Sequence, residues 1–251
     1  MSIVTDRCRR GVCRERQAAP EFCAPRNWKE EGRSLLLTDA LHVEQFAIVD
    51  NEPVDRGPNA GVFTGRGAGD DRAELFVVAE GTTPAGEAFA GHVVSALGQL
   101  WATLDQSLTG SIRRLFEEAD RNLRDWNAKS IAQHHVALGL SCLARRGAQV
   151  VIGQAGPTVA FHFSGGAVRA IFPDGEHRAP LGADGDEPQL ERLDLAPGDR
   201  VLLLSTPAER TLGQDLVEGI LSLPREQVLR DLYHRVRELR HVTALLVSAR
   251  T

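Results

Sequence analysis

The stretch Leu75–Val94, LFVVAEGTTPAGEAFAGHVV, decides how this chain folds. Its opening run LFVVA is apolar and β-prone, and it stops at Glu80-Gly81. Thr82, Thr83 and Pro84 then lead into a segment with helical spacing. Upstream, residues 62–80 (VFTGRGAGDDRAELFVVAE) place two β-rich runs around a glycine-rich turn, which predicts a hairpin. Downstream, residues 86–104 set Phe89, Val93, Ala96, Leu97, Leu100 and Leu104 on one helical stripe. Residues 108–126 repeat the pattern with Leu108, Ile112, Leu115, Phe116, Ala119 and Leu123. A hairpin followed by two consecutive helices does not fit alternating βαβ units. A strand that ends on a carboxylate and a glycine is also a common way to hold a divalent metal, so Glu80 is the first candidate for chemistry.

Outward from this stretch the pattern stays antiparallel. QFAIVD (45–50) reads as a strand and NEPVDRGPNAG (51–61) as a loop of turn formers. HHVALGLSCLA (134–144), AQVVIGQ (148–154), TVAFHFS (158–164) and AVRAIFP (167–173) are β-runs joined by tight turns, which predicts a meander. A long polar loop, residues 175–189, precedes LERLDL (190–195), the turn APGD and the buried strand RVLLLS (200–205). Helices are expected over 208–221 and 225–239, and HVTALLVSA (241–249) closes the chain as a strand. The expected fold class is α+β: a four-layer α-β-β-α sandwich of two mostly antiparallel sheets, with a helix pair on each outer face.

Composition narrows the function. Of 251 residues, 42% are hydrophobic and 25% charged, as in ordinary soluble domains. No apolar run approaches the roughly 20 residues that span a bilayer, and the N-terminus lacks the apolar segment of a secretory signal, so the expected compartment is cytoplasmic. The net charge is −5, yet residues 1–34 hold eight Lys/Arg against five Asp/Glu. Residues 1–34 are therefore expected to be a solvated basic tail, ahead of one domain over 35–251. An acidic domain argues against nucleic acid as a partner. Cys8, Cys13 and Cys23 lie in the tail at spacings wider than zinc-ligand pairs, and Cys142 reads as a small core residue.

Other candidate sites lack context. Gly65, Gly67 and Gly69 are followed by a strand, not by the helix a nucleotide loop requires. His134 and His135, adjacent on an expected strand, would point to opposite faces. Asp70, Asp71, Asp184 and Asp186 sit in turns, where aspartate commonly bonds the local backbone. His92 and His234 fall on helices with no histidine at i±4, and His241 has no nucleophile motif beside it. Trp101 and Trp126 are expected in the helix–sheet core.

Several segments, taken in order, carry a resemblance: LFVVAEG with AGEAFA, VVIGQAGPTVAFHFSGGAVRAI, LAPGDRVLLLSTPAE and HVTALLVSA. Over residues 45–249 the chain resembles the metal-dependent protein phosphatases of the PP2C (PPM) type. The resemblance implies a β-sandwich with an edge site where two Mg²⁺ or Mn²⁺ ions activate water against phosphoserine or phosphothreonine. It places the metal-holding acids at Glu80-Gly81, at Pro157 in the Gly-Pro-Thr turn, at Thr206 after RVLLLS, and at Arg240 ahead of His241. Only Glu80 is acidic. The family's glycine-rich loop after the first acid reads Thr82-Thr83-Pro84, and Arg56 is a weak match for its phosphate-gripping arginine. The expectation is a degenerate, pseudophosphatase-like member with no metal cofactor. It would serve as a regulatory module toward a protein signalling partner, one that could itself be phosphorylated, in bacterial-type phospho-signalling. The alternative is a weak Mn/Mg-dependent serine/threonine phosphatase with a non-standard metal site.

Overall fold

The computed structural model describes residues 41–173, 179–183 and 187–250. The expected tail, its three cysteines, and Asp184 and Asp186 lie outside the described residues. Among the described residues, eleven strands and five α-helices follow in chain order: β1 (Leu41–Val49), β2 (Glu52–Val54), β3 (Ala60–Thr64), β4 (Glu74–Gly81), α1 (Pro84–Trp101), α2 (Leu108–Lys129), β5 (Leu138–Arg146), β6 (Gln149–Ala155), β7 (Thr158–Ser164), β8 (Ala167–Ala170), β9 (Gln189–Leu193), β10 (Arg200–Ser205), α3 (Thr206–Leu212), α4 (Gln214–Leu221), α5 (Arg225–Val236) and β11 (His241–Ala249). One sheet has six strands in the order β2-β1-β11-β10-β7-β8, and the other has five in the order β3-β4-β5-β6-β9. The pairings are antiparallel throughout. Helices α1 and α2 pack on β3–β6 of the five-stranded sheet, while α3 and α5 pack on β10, β1 and β11 of the other. The α+β, four-layer sandwich expected from the sequence is the architecture found.

Side-chain alternation sorts the core into layers. Along β4, Leu75, Val77 and Ala79 join the cluster beneath α1 and α2, while Phe76 and Val78 join the cluster between the sheets. Val201 and Leu203 of β10, and Leu245 and Val247 of β11, fill the same inter-sheet layer. Period-two geometry then continues that face to Glu80, Ser205, Thr243 and His241 at the strand ends. All four reach one edge of the sandwich because the three strands end there together.

Several boundaries differ from the sequence reading. The run from 134 to 173 is not a single meander: β5 and β6 belong to one sheet, β7 and β8 to the other, with the chain changing sheets at Gly156-Pro157. His134 ends a 3₁₀ turn (Ala132–His134) and is not on a strand. The helix expected over 208–221 breaks in two at Gly213, whose φ of 76° is open to glycine and strained for other residues. Trp126 is 46% exposed, not a core residue, whereas Trp101 is buried. The buried stripe of α2 ends at Leu123. Beyond it, Asn127 bonds the backbone of Val136 and Gly182, and Trp126 is left outside against Phe89, ring centroids 5.0 Å apart.

Candidate functional site

A cleft of about 570 Å³ opens at the edge where β4, β10 and β11 end. Its walls include Asp50, Asn59, Glu80, Gly81, Thr82, Thr83, Glu87, Arg240 and His241. Of the positions singled out from sequence, Glu80, Gly81, Arg240 and His241 line this cleft together. Thr206 is fully buried and touches Glu80 directly. Pro157 is not among the lining residues: it is buried behind β5, its carbonyl packed against Gly139, the cross-strand partner of Glu80. Arg56 is exposed and outside the cleft.

Glu80 reaches across the inter-sheet layer. Its Oε2 accepts the Thr206 backbone N–H at 2.6 Å, and its Oε1 accepts the Thr206 hydroxyl. The carboxylate therefore caps the first turn of α3 from the opposite sheet, and the residue is 8% exposed. Burial pushes its pKa up from 4.5 to about 7; the Thr206 bonds and Arg210 oppose the rise, and Glu87 adds to it. Next to this tie, the Ser205 hydroxyl accepts the Thr243 N–H at 2.9 Å and fixes β10 to β11.

The other charged groups are also committed to protein partners. A two-residue turn, Asp50-Asn51 with φ of 52° and 66°, joins β1 to β2 and presents Asp50 to Arg240. Arg240 donates from Nε at 3.0 Å and Nη2 at 2.8 Å to Asp50 Oδ1, and this holds the Asp50 carboxyl below its usual range. Glu87 Oε1 accepts from Asn59 Nδ2 at 2.7 Å, and its Oε2 accepts the Gly81 N–H at 3.0 Å. His241 stands between the two acids, with Nε2 3.6 Å from Asp50 and Nδ1 3.7 Å from Glu87. Among the described residues, no three of His, Cys, Asp and Glu are gathered so as to hold a metal ion.

Thr82-Thr83-Pro84 has a local role: Thr83 Oγ1 accepts the Gly86 N–H at 2.9 Å as N-cap of α1, and Pro84 opens the helix. Sequence reading did not find Asp50, Asn59 or Glu87. The available signals were the Asp-Asn dipeptide between two strands, and an acid in the first turn of a helix.

No family model and no curated protein matches this sequence. Solved structures do. The serine/threonine phosphatase of S. agalactiae is similar at a TM-score of 0.67 and 16% identity, over 83% of this chain and 99% of that one. PppA, a key regulatory component of T6SS in Pseudomonas aeruginosa, is similar at 0.65 and 21% identity, over 83% and 97%. The Mycobacterium tuberculosis serine/threonine phosphatase PstP/Ppp is similar at 0.62 and 17% identity, over 84% and 100%. Among the described residues no helix is long and apolar enough to cross a membrane. The structural neighbours are PP2C-type serine/threonine phosphatases, and this chain has their fold.

Proposed function

We propose that this chain is a catalytically inactive PP2C-like domain, a pseudophosphatase, that binds a protein signalling partner without turning over phosphate. The observation that carries this reading is the tie between Glu80 and Thr206. Two-metal hydrolysis needs several carboxylates with free oxygens facing the ions. Here both oxygens of Glu80 are taken by a neutral threonine standing where the resemblance calls for an aspartate. Asp50 and Glu87 are likewise held, by Arg240 and by Asn59 with Gly81. Among the described residues the one guanidinium of this cleft, Arg240, stands where the resemblance calls for an aspartate, and it offers a dication no ligand atom and a charge of the same sign. The related phosphatase PstP has been solved with 2 manganese ions, a state for which this donor set is poorly suited.

The partner is inferred from the cleft and from neighbours that are signalling phosphatases. One observation favours the enzyme alternative: three carboxylates, Asp50, Glu80 and Glu87, line one cleft. Calorimetry with Mn²⁺ and Mg²⁺, run beside a p-nitrophenyl phosphate assay, separates the two. No saturable metal heat and no metal-dependent turnover is the expected result. Two ions bound at micromolar affinity, with turnover lost in Glu80→Gln, would establish the enzyme instead.

A further inference from the structure

The end of the sandwich away from the cleft buries a titratable pair of its own. His162 of β7 lies directly across from Val201, near the start of β10, whereas the cleft opens at that strand's last residue, Ser205. Ala160, two residues earlier on β7, and Val201 both fill the inter-sheet layer, so the His162 ring enters it too. His162 is 7% exposed, and its Nε2 is buried with no hydrogen-bond partner, 3.6 Å from Asp199 Oδ2. That oxygen already accepts the Ser164 hydroxyl at 2.9 Å and the Ala196 N–H at 3.0 Å. The backbone of Gly198 and Asp199 is bonded to Ala249, so this one turn gathers the ends of β7 and β11 at the start of β10.

A neutral imidazole fits this place and an imidazolium does not. Its charge would enter an apolar layer, and the carboxylate that faces it is taken by two other donors. The remaining charges around the ring cancel: Arg169, its cross-strand neighbour on β8, is paired with Glu191 of β9. Burial accordingly pushes the His162 pKa below its ordinary 6.5; Asp199 pulls it up, Arg169 lowers it and Glu191 raises it. The neighbouring element with least to hold it is β8, a four-residue strand at the sheet edge whose Ala167 and Arg169 are exposed. We propose that His162 and Asp199 form an acid-sensitive latch: proton uptake by His162 expels its ring from the inter-sheet layer and frees the β7–β8 hairpin. The sign follows from linkage. The folded site binds its proton less tightly than the opened one, so closure is intact above pH 6.5 and weakens as pH falls below it. Glu80, whose pKa burial raises, acts in the opposite sense at the cleft, so acid loosens one end of the fold and not the other. The latch does not depend on whether the cleft is active.

The test follows amide hydrogen exchange of the full, isotope-labelled chain by NMR at pH 7.5 and at pH 5, corrected for the intrinsic pH dependence of exchange. Protection of residues 162–164 and of β8 should fall by about threefold or more in acid, while Thr206 and Thr243 at the cleft keep theirs. His162→Gln, neutral at every pH, should abolish the fall. In the parent chain the His162 Cε1–H resonance should titrate below 6.5. A resonance that titrates at 6.5 or above overturns the latch without any variant. So does the absence of a fall, a fall spread equally over both sheets, or one that survives in His162→Gln.

Discussion

At the scale of single residues, the contact between Glu80 and Thr206 sets a pH dependence. Glu80 is buried and titrates near 7 in the fold against 4.5 as usual. The folded state thus holds the proton more tightly than the unfolded chain. Below pH 4.5 the group costs nothing; as pH rises from 4.5 to about 7, stability falls, and above that the loss is complete. The full shift corresponds to about 3 kcal/mol. Glu80→Gln keeps both contacts, since the amide oxygen accepts from the Thr206 N–H and the amide nitrogen donates to a hydroxyl that can reverse. Urea unfolding of the two proteins should agree near pH 4.5, with the variant the more stable by up to that amount at pH 8. Parallel curves across this range would refute the assignment.

At the scale of elements, the glycine beside Glu80 is a packing requirement as much as a motif. A Cβ on Gly81 would sit 1.9 Å from the backbone nitrogen of Glu87, in the first turn of α1. Backbone cannot yield as a side-chain tip can, so Gly81→Ala should cost about 3 kcal/mol or more. Gly219, inside α4, has nothing within 4 Å of its virtual Cβ, and Gly219→Ala should stabilise by about 0.5–1 kcal/mol. Thermal unfolding of the pair checks both signs together. The same contrast explains what was legible in the sequence. Strands such as RVLLLS and HVTALLVSA announce themselves as continuous apolar runs because both of their faces are buried, and the stripes of α1 and α2 because burial recurs on every turn. The change of sheet between β6 and β7 leaves no such trace, since both strands are buried on both faces and read alike whichever sheet receives them. Glu80 was readable from its place at a strand end. Its partner atoms, and the grouping of Asn59, Glu87 and His241, come from β3, α1 and β11 regions far apart in the chain, and no local pattern joins them.

At the scale of the whole molecule, the two sheets meet across an apolar layer. Phe76, Val78, Leu143, Ile152, Leu203 and Leu245 fill that layer, and at its edge Glu80 of one sheet ties to the first residue of α3 on the other. In a two-metal domain that edge is where dications would draw carboxylates from different strands together, and folding would be linked to metal. Here Thr206 supplies the donors. Ligand linkage gives the contrast a size: a site of micromolar affinity at 1 mM free ion stabilises the fold by about 4 kcal/mol. For a domain of this length that corresponds to a rise in Tm of roughly 8–16 °C. The expected melting temperature is therefore the same in 1 mM Mn²⁺, in 1 mM Mg²⁺ and in excess chelator. Thr206→Asp should invert the behaviour, because it sets a second carboxylate against Glu80 in a buried site where like charges repel. That variant should melt below the parent in chelator and recover part of the loss in Mn²⁺. A parent chain that itself gains 8 °C or more in Mn²⁺ would mean that the Glu80–Thr206 tie opens to admit metal.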